Sequence, residues 1–141
     1  MQMKFWHGIL ILGLFGFFIT AGCSSPSAQQ GTGTASQAAG KYIDVTPEKG
    51  AILIESEPEI IIVDLSGYYD DGHITGATSL PLETLDNVIL SMDKTKTYFV
   101  YSHDDSSSIS GATKFVNAGF PRVYRLAGNY DAWVEAGNPV S

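Results

Sequence analysis

Cysteine is almost absent: Cys23 is the only one in 141 residues. No intramolecular disulfide can form, and the cysteine count alone does not identify the compartment. Basic side chains are also scarce, at 8 against 15 acidic ones, for a formal charge of -7. The imbalance sharpens along the chain, because Lys4 is the only charged residue before Lys41. The remaining seven basic and 15 acidic residues therefore carry -8. Such a surface repels nucleic acid and anionic headgroups, so neither is expected as a partner. A long apolar run is missing as well. The uncharged stretch from Gly8 to Thr20 is shorter than the roughly 20 residues that a spanning helix needs.

What is present at the N-terminus reads as an export signal. Lys4 and the α-amine supply positive charge, and the Gly8–Thr20 run supplies the apolar segment. Thr20, Ala21, Gly22 and Cys23 follow, and they resemble the lipobox of prokaryotic lipoproteins, with threonine where leucine is usual. The resemblance implies cleavage before Cys23 and attachment of diacylglycerol to its sulfur. The alternatives are an ordinary signal cleaved near Ala21 and a retained single anchor. Residues 1–22 are thus expected as a lipoprotein signal peptide, with membrane lipid as the partner of Cys23. Two or more acyl chains anchor stably where one is marginal. The expected location is the cell envelope: the outer face of the cytoplasmic membrane, or the outer membrane. Ser24 is not the aspartate that retains some lipoproteins at an inner membrane.

From Ser24 to Gly40 the chain has no charge, no aromatic residue and no apolar periodicity. Such a segment buries too little surface to offset its ordering entropy. Residues 23–40 are expected to act as a lipidated cysteine and flexible tether, averaging roughly 20–25 Å end to end.

Residues 41–141 alternate strand and helix signals. Thr46-Pro47-Glu48 is a helix start, and that helix is expected to reach about Glu55. Ile60 to Val63 is a continuous β-branched run, suited to a strand buried on both faces. A short strand is expected at Ser79-Leu80. Leu82, Leu85, Val88, Ile89 and Met92 then recur at helical spacing. Tyr98–Tyr101 reads as a second strong strand. Ile109, Ala112, Phe115 and Val116 mark the next helix face, ended by Gly119. Val123 to Leu126 is another strand, with a short helix near Asp131 to Glu135. The order predicts an α/β domain with a central, mostly parallel sheet flanked by helices on both faces. Sites in such folds lie beyond the carboxyl ends of strands, which singles out the loop after Tyr101.

Several segments together resemble the rhodanese family over essentially all of residues 42–141. Val63-Asp64-Leu65-Ser66 stands where the family has D-V-R. Gly72-His73-Ile74-Thr75-Gly76-Ala77 matches G-H-I-x-G-A and is followed by Leu80-Pro81. Gly119-Phe120 with Val123-Tyr124 matches G-F-x-x-V-Y. Leu126-Ala127-Gly128-Asn129 with Trp133 matches L-x-G-G-x-x-x-W except at Asn129, and Gly137 to Val140 matches G-x-P-V. The resemblance implies a scaffold role for His73, tight turns at Gly72, Gly76 and Gly128, and a core position for Trp133.

The resemblance also implies an active-site loop of the form Cys-x-x-x-x-Arg between a strand and a helix. There, backbone N–H groups hold an anion, and a low-pKa thiolate carries sulfur as a persulfide. The loop maps onto Ser102, His103, Asp104, Asp105, Ser106 and Ser107, with Ser108 next. Serine thus stands in the cysteine position and again in the arginine position. A hydroxyl cannot form a persulfide, and a lipidated Cys23 would leave no free thiol. At about 8 Å and an effective dielectric near 20, each of Asp104 and Asp105 would repel a unit anion by about 2 kcal/mol. Near a helix start the same residues also serve as caps.

The reading that follows is a membrane-anchored lipoprotein with a catalytically inactive rhodanese-like domain, a binding or interaction module for an unknown protein partner. No cofactor is expected. Three alternatives remain open at this stage: a divalent-metal site at His103-Asp104-Asp105, a hydrolase-type use of Ser102-His103-Asp104, and residual sulfurtransferase chemistry.

Overall fold

The computed structural model describes residues 41–141. The apolar run, Cys23 and the stretch 24–40 lie outside the described residues. Among those described, no helix is long and apolar enough to cross a membrane.

Five strands, β1 Ile43–Val45, β2 Ile61–Asp64, β3 Thr78–Ser79, β4 Tyr98–Tyr101 and β5 Val123–Leu126, form one sheet in the order β1-β5-β4-β2-β3. Every pairing is parallel. Four helices connect or follow the strands: α1 Pro47–Ser56, α2 Leu82–Val88, α3 Asp105–Asn117 and α4 Asn129–Glu135. Thr46 caps α1 by accepting the Lys49 N–H at 3.5 Å, and Pro47 occupies the first turn as its sequence predicts. The helical spacing expected through Met92 resolves into α2 and a 3-10 turn at Ile89–Ser91.

The central strand β4 is buried at all four positions. Successive side chains point to opposite faces. Tyr98 and Val100 therefore join Val63, Leu85, Phe115 and Phe120 on one side. Phe99 and Tyr101 join Val45, Ile62, Leu126 and Trp133 on the other. Each face thus acquires its own core, covered by α2 and α3 on the first side and by residues of α1 and α4 on the second.

Two differences from the sequence reading concern apolar residues. β1 was not anticipated; its three residues form a strand by pairing Ile43 to Tyr124 and Val45 to Leu126 of β5. Ile109, expected on the buried face of α3, is 40% exposed. Ala112, Phe115 and Val116 are buried as expected, and Ser108 and Gly111 complete that face. Gly111 is needed where α3 crosses Leu65, because a Cβ there would collide with the leucine Cδ1. Gly119 ends α3 with φ +88°.

The other family-like segments are structural. His73 exchanges backbone hydrogen bonds with Ser141 at 3.0 and 2.9 Å. Its ring stacks on Tyr69 at 3.7 Å, and its Nδ1–H donates to the Tyr69 carbonyl at 3.0 Å. Trp133 is buried with its indole N–H donating to the Pro139 carbonyl at 3.0 Å. Gly72, Gly76 and Gly128 all have positive φ.

Candidate functional site

The loop after β4 sits at the centre of the sheet's carboxyl edge because β4 is the middle strand. Its neighbours β5 and β2 deliver the start of α4 on one side and the turn at Tyr68 on the other. The loop residues therefore meet groups far away in sequence.

Ser102 is fully buried at the end of β4. Its carbonyl accepts the Tyr130 N–H at 3.0 Å, which ties the loop to α4. Its hydroxyl has only a long contact, 3.4 Å, to Asp104 Oδ2.

Asp104 is the N-cap of α3, with extended backbone angles of φ -138° and ψ 154°. Its Oδ1 accepts the Ser107 N–H at 2.8 Å and the Ser106 hydroxyl at 2.6 Å. These bonds, led by Ser106, lower its pKa to about 2, so the carboxylate stays charged. An anion of the chain itself thus fills the helix start that could hold a free one.

Asp105 turns the other way. Its Oδ1 accepts from Asn129 Nδ2 at 2.9 Å and from Arg125 at 2.8 Å, and these bonds, Asn129 foremost, lower its pKa. Arg125 also binds Asp44 at 2.7 Å and the Ser108 hydroxyl at 3.2 Å. Burial would lower the Arg125 pKa; the bonds to Asp44 and Asp105 outweigh it and leave the pKa raised. The two negative charges read from sequence are therefore unequal: Asp105 is compensated and Asp104 is not.

His103 points inward. Its ring stacks on Tyr130 at 4.5 Å and 11°, with Tyr68 at 5.8 Å on the loop's other flank. Its Nε2 lies 4.0 Å from Asp64 Oδ2. Asp64 is fully buried and already accepts the Ser66 N–H at 2.8 Å and the Tyr101 hydroxyl at 2.9 Å. Burial foremost raises the Tyr101 pKa, which keeps that hydroxyl a donor. Two buried side-chain atoms at this edge, His103 Nε2 and Asn129 Oδ1, have no hydrogen-bond partner among the described residues.

The structure thus brings Ser102, Asp104, Ser106 and Ser107 together, and sends His103 and Asp105 to separate partners. His103, Asp104 and Asp105 do not converge, and no cluster of three metal-ligating side chains occurs among the described residues. Ser102, His103 and Asp104 form no hydrogen-bonded triad, because His103 faces Asp64 rather than Ser102. Sequence reasoning missed Arg125, Asn129, Tyr68 and Tyr130 as members of this site. Only Asn129 left a signal, as the one departure in its glycine motif.

The rhodanese-like domain family matches residues 35–136. Thiosulfate sulfurtransferase GlpE from Coxiella burnetii is 34% identical over 85 residues, covering 59% of this chain and 78% of that protein. The protein of the same name from Pseudomonas entomophila is 29% identical over 89 residues, covering 63% and 82%. Among solved structures, the Alr3790 protein from Anabaena superposes with a TM-score of 0.62 at 30% identity, covering 69% of this chain and 81% of that one. By fold and by sequence this chain belongs to the rhodanese-like domain family.

Proposed function

We propose that this protein is a membrane-anchored extracytoplasmic lipoprotein whose rhodanese-like domain is a non-catalytic binding or interaction module. The carrying observation is the buried Ser102 hydroxyl at the end of β4, followed by a helix start already filled by the Asp104 carboxylate. A serine oxygen has no persulfide chemistry, and Cys23, the sole sulfhydryl source, belongs to the lipobox-like segment. A thiosulfate donor would have to displace the Asp104 carboxylate from the Ser107 backbone N–H and approach an ionised carboxylate. A cyanide-dependent thiocyanate assay on the full-length protein tests this. No turnover above the enzyme-free rate is expected, and measurable turnover overturns the reading.

Residual sulfurtransferase chemistry is the second reading, favoured by the names of the relatives from Coxiella and Pseudomonas. The same assay decides between them.

A further inference from the structure

We propose that the carboxyl edge of the sheet recognises arginine side chains on a basic segment of a partner protein. The inference rests on the non-catalytic reading and gives that module a class of partner.

An all-parallel sheet places every turn that follows a strand on one edge. Here those turns carry Asp70 and Asp71 after β2, Glu83 in the first turn of α2, Asp104 and Asp105 after β4, and Asp131 in the first turn of α4. Each acid alone would only complement its own helix dipole. Together they form a field with little to balance it. Arg125 is occupied by Asp44 and Asp105, which leaves Lys49 of α1 as the other cation on this edge. Lys94, Lys96 and Arg122 precede β4 and β5 and so lie at the opposite edge.

A second observation is independent of that charge. Asn129 is 7% exposed and holds a positive φ of 61°, an uncommon conformation for a residue with a side chain. Its amide nitrogen faces Asp105, as it must, since only that end donates. The oxygen of the same amide is buried and has no partner among the described residues. Asp104 Oδ2 is nearly free too, with only the 3.4 Å contact from Ser102. Asp104 Oδ2 and Asn129 Oδ1 thus stand at this loop as acceptors with unused capacity. An incoming group must therefore bring donors and positive charge.

The aromatic flank distinguishes guanidinium from ammonium. Tyr68 is 61% exposed beside His103, which itself stacks on Tyr130. A guanidinium is planar, stacks on aromatic rings and presents forked donors to a carboxylate, whereas an ammonium is a compact, strongly hydrated point charge.

The test is fluorescence anisotropy of labelled hexa-arginine, hexa-lysine and hexa-citrulline peptides with the full-length protein in neutral-lipid nanodiscs. Hexa-arginine binding that weakens with salt is expected, with hexa-lysine weaker and hexa-citrulline not bound. Asp104→Asn combined with Asp131→Asn should weaken hexa-arginine about tenfold, since two charge-assisted contacts are lost. Asparagine still caps a helix, so circular dichroism should show the fold retained. Glu57→Gln with Glu135→Gln, away from this edge, should change nothing. Tyr68→Ala should weaken hexa-arginine more than hexa-lysine. Absence of binding, equal binding of all three peptides, equal loss in both double variants, or displacement of the peptide by millimolar calcium or magnesium would each overturn the proposal. A thiocyanate assay on the same preparation separates the two claims: turnover defeats the non-catalytic reading, and peptide binding without turnover supports both.

Discussion

At Ser102 the chemistry turns on one atom and its surroundings. Ser102→Cys would supply a thiol nucleophile, yet place it beside the ionised Asp104, where a negative neighbour raises a thiol pKa above its reference near 8.5. The single variant should give thiocyanate at close to the background rate. Adding Asp104→Asn, Asp105→Asn and Ser107→Arg should raise that rate by at least about tenfold, because removing the Asp105 charge also releases Arg125 from one of its counter-charges. High activity in the single variant would refute the electrostatic half of the argument. Asp104 has a structural duty as well. Asp104→Ala should cost about 1 kcal/mol at neutral pH in urea denaturation, the usual worth of an N-cap. The folded-state pKa of Asp104 is lowered from 3.8 to about 2. Its contribution is therefore complete above the unfolded value and disappears as pH falls through about 2. The stability gap between wild type and Asp104→Ala should accordingly close in strong acid; a gap constant down to pH 2 would show that the capping carboxylate is not its source.

Among the elements, α3 both positions the loop and seals one core. Its contact with β2 is tightest at Gly111, where no Cβ fits beside Leu65. Leu65 is 1% exposed and cannot swing into solvent. Gly111→Ala gains helix propensity, but overpacking should outweigh it and destabilise the domain by about 1–3 kcal/mol in thermal or urea unfolding. An unchanged or raised midpoint would mean that α3 can shift away from the sheet. The elements differed in how plainly the sequence announced them. β4 was legible because four consecutive apolar residues flanked by polar ones suit a strand buried on both sides. β1 was not, because Ile43 and Asp44 are exposed and its strand character comes from pairing with β5, some 80 residues away. On the inward face of α3, Ala112, Phe115 and Val116 are buried as expected, but Ile109 is apolar and exposed, and the small polar Ser108 is buried with its hydroxyl bonded to Asp105 and Arg125.

For the whole molecule, the proposed attachment and the surface charge bear on each other. A domain with net negative charge gains nothing from anionic lipid, so the proposed anchoring rests on the N-terminal segment alone. Intact-mass spectrometry of the native protein should show a chain beginning at Cys23 and carrying acyl groups. An unmodified Cys23, or an N-terminus elsewhere, would refute the lipoprotein reading. The parallel sheet then adds an asymmetry that the net charge conceals, with most acids of the turns on one edge and the lysines and arginine that precede β4 and β5 on the other.

The sequence by itself determined the family, the order of the elements and the chemistry available at residues 102–107. Those depend on local propensity, on short motifs read in order and on which atoms a side chain carries. Thr46 and Asp104 could be assigned as caps because a cap acts within three residues of its own position. Only the tertiary structure decided that Asp105 is neutralised while Asp104 is not, that His103 turns towards Asp64, and that Asn129 closes on the loop. Each of these joins residues at least 20 positions apart, and such a meeting depends on strand order. With β5 and β2 on either side of β4, Arg125 and Asn129 arrive from one flank of the loop and Asp64 and Tyr68 from the other, a placement that no local pattern encodes.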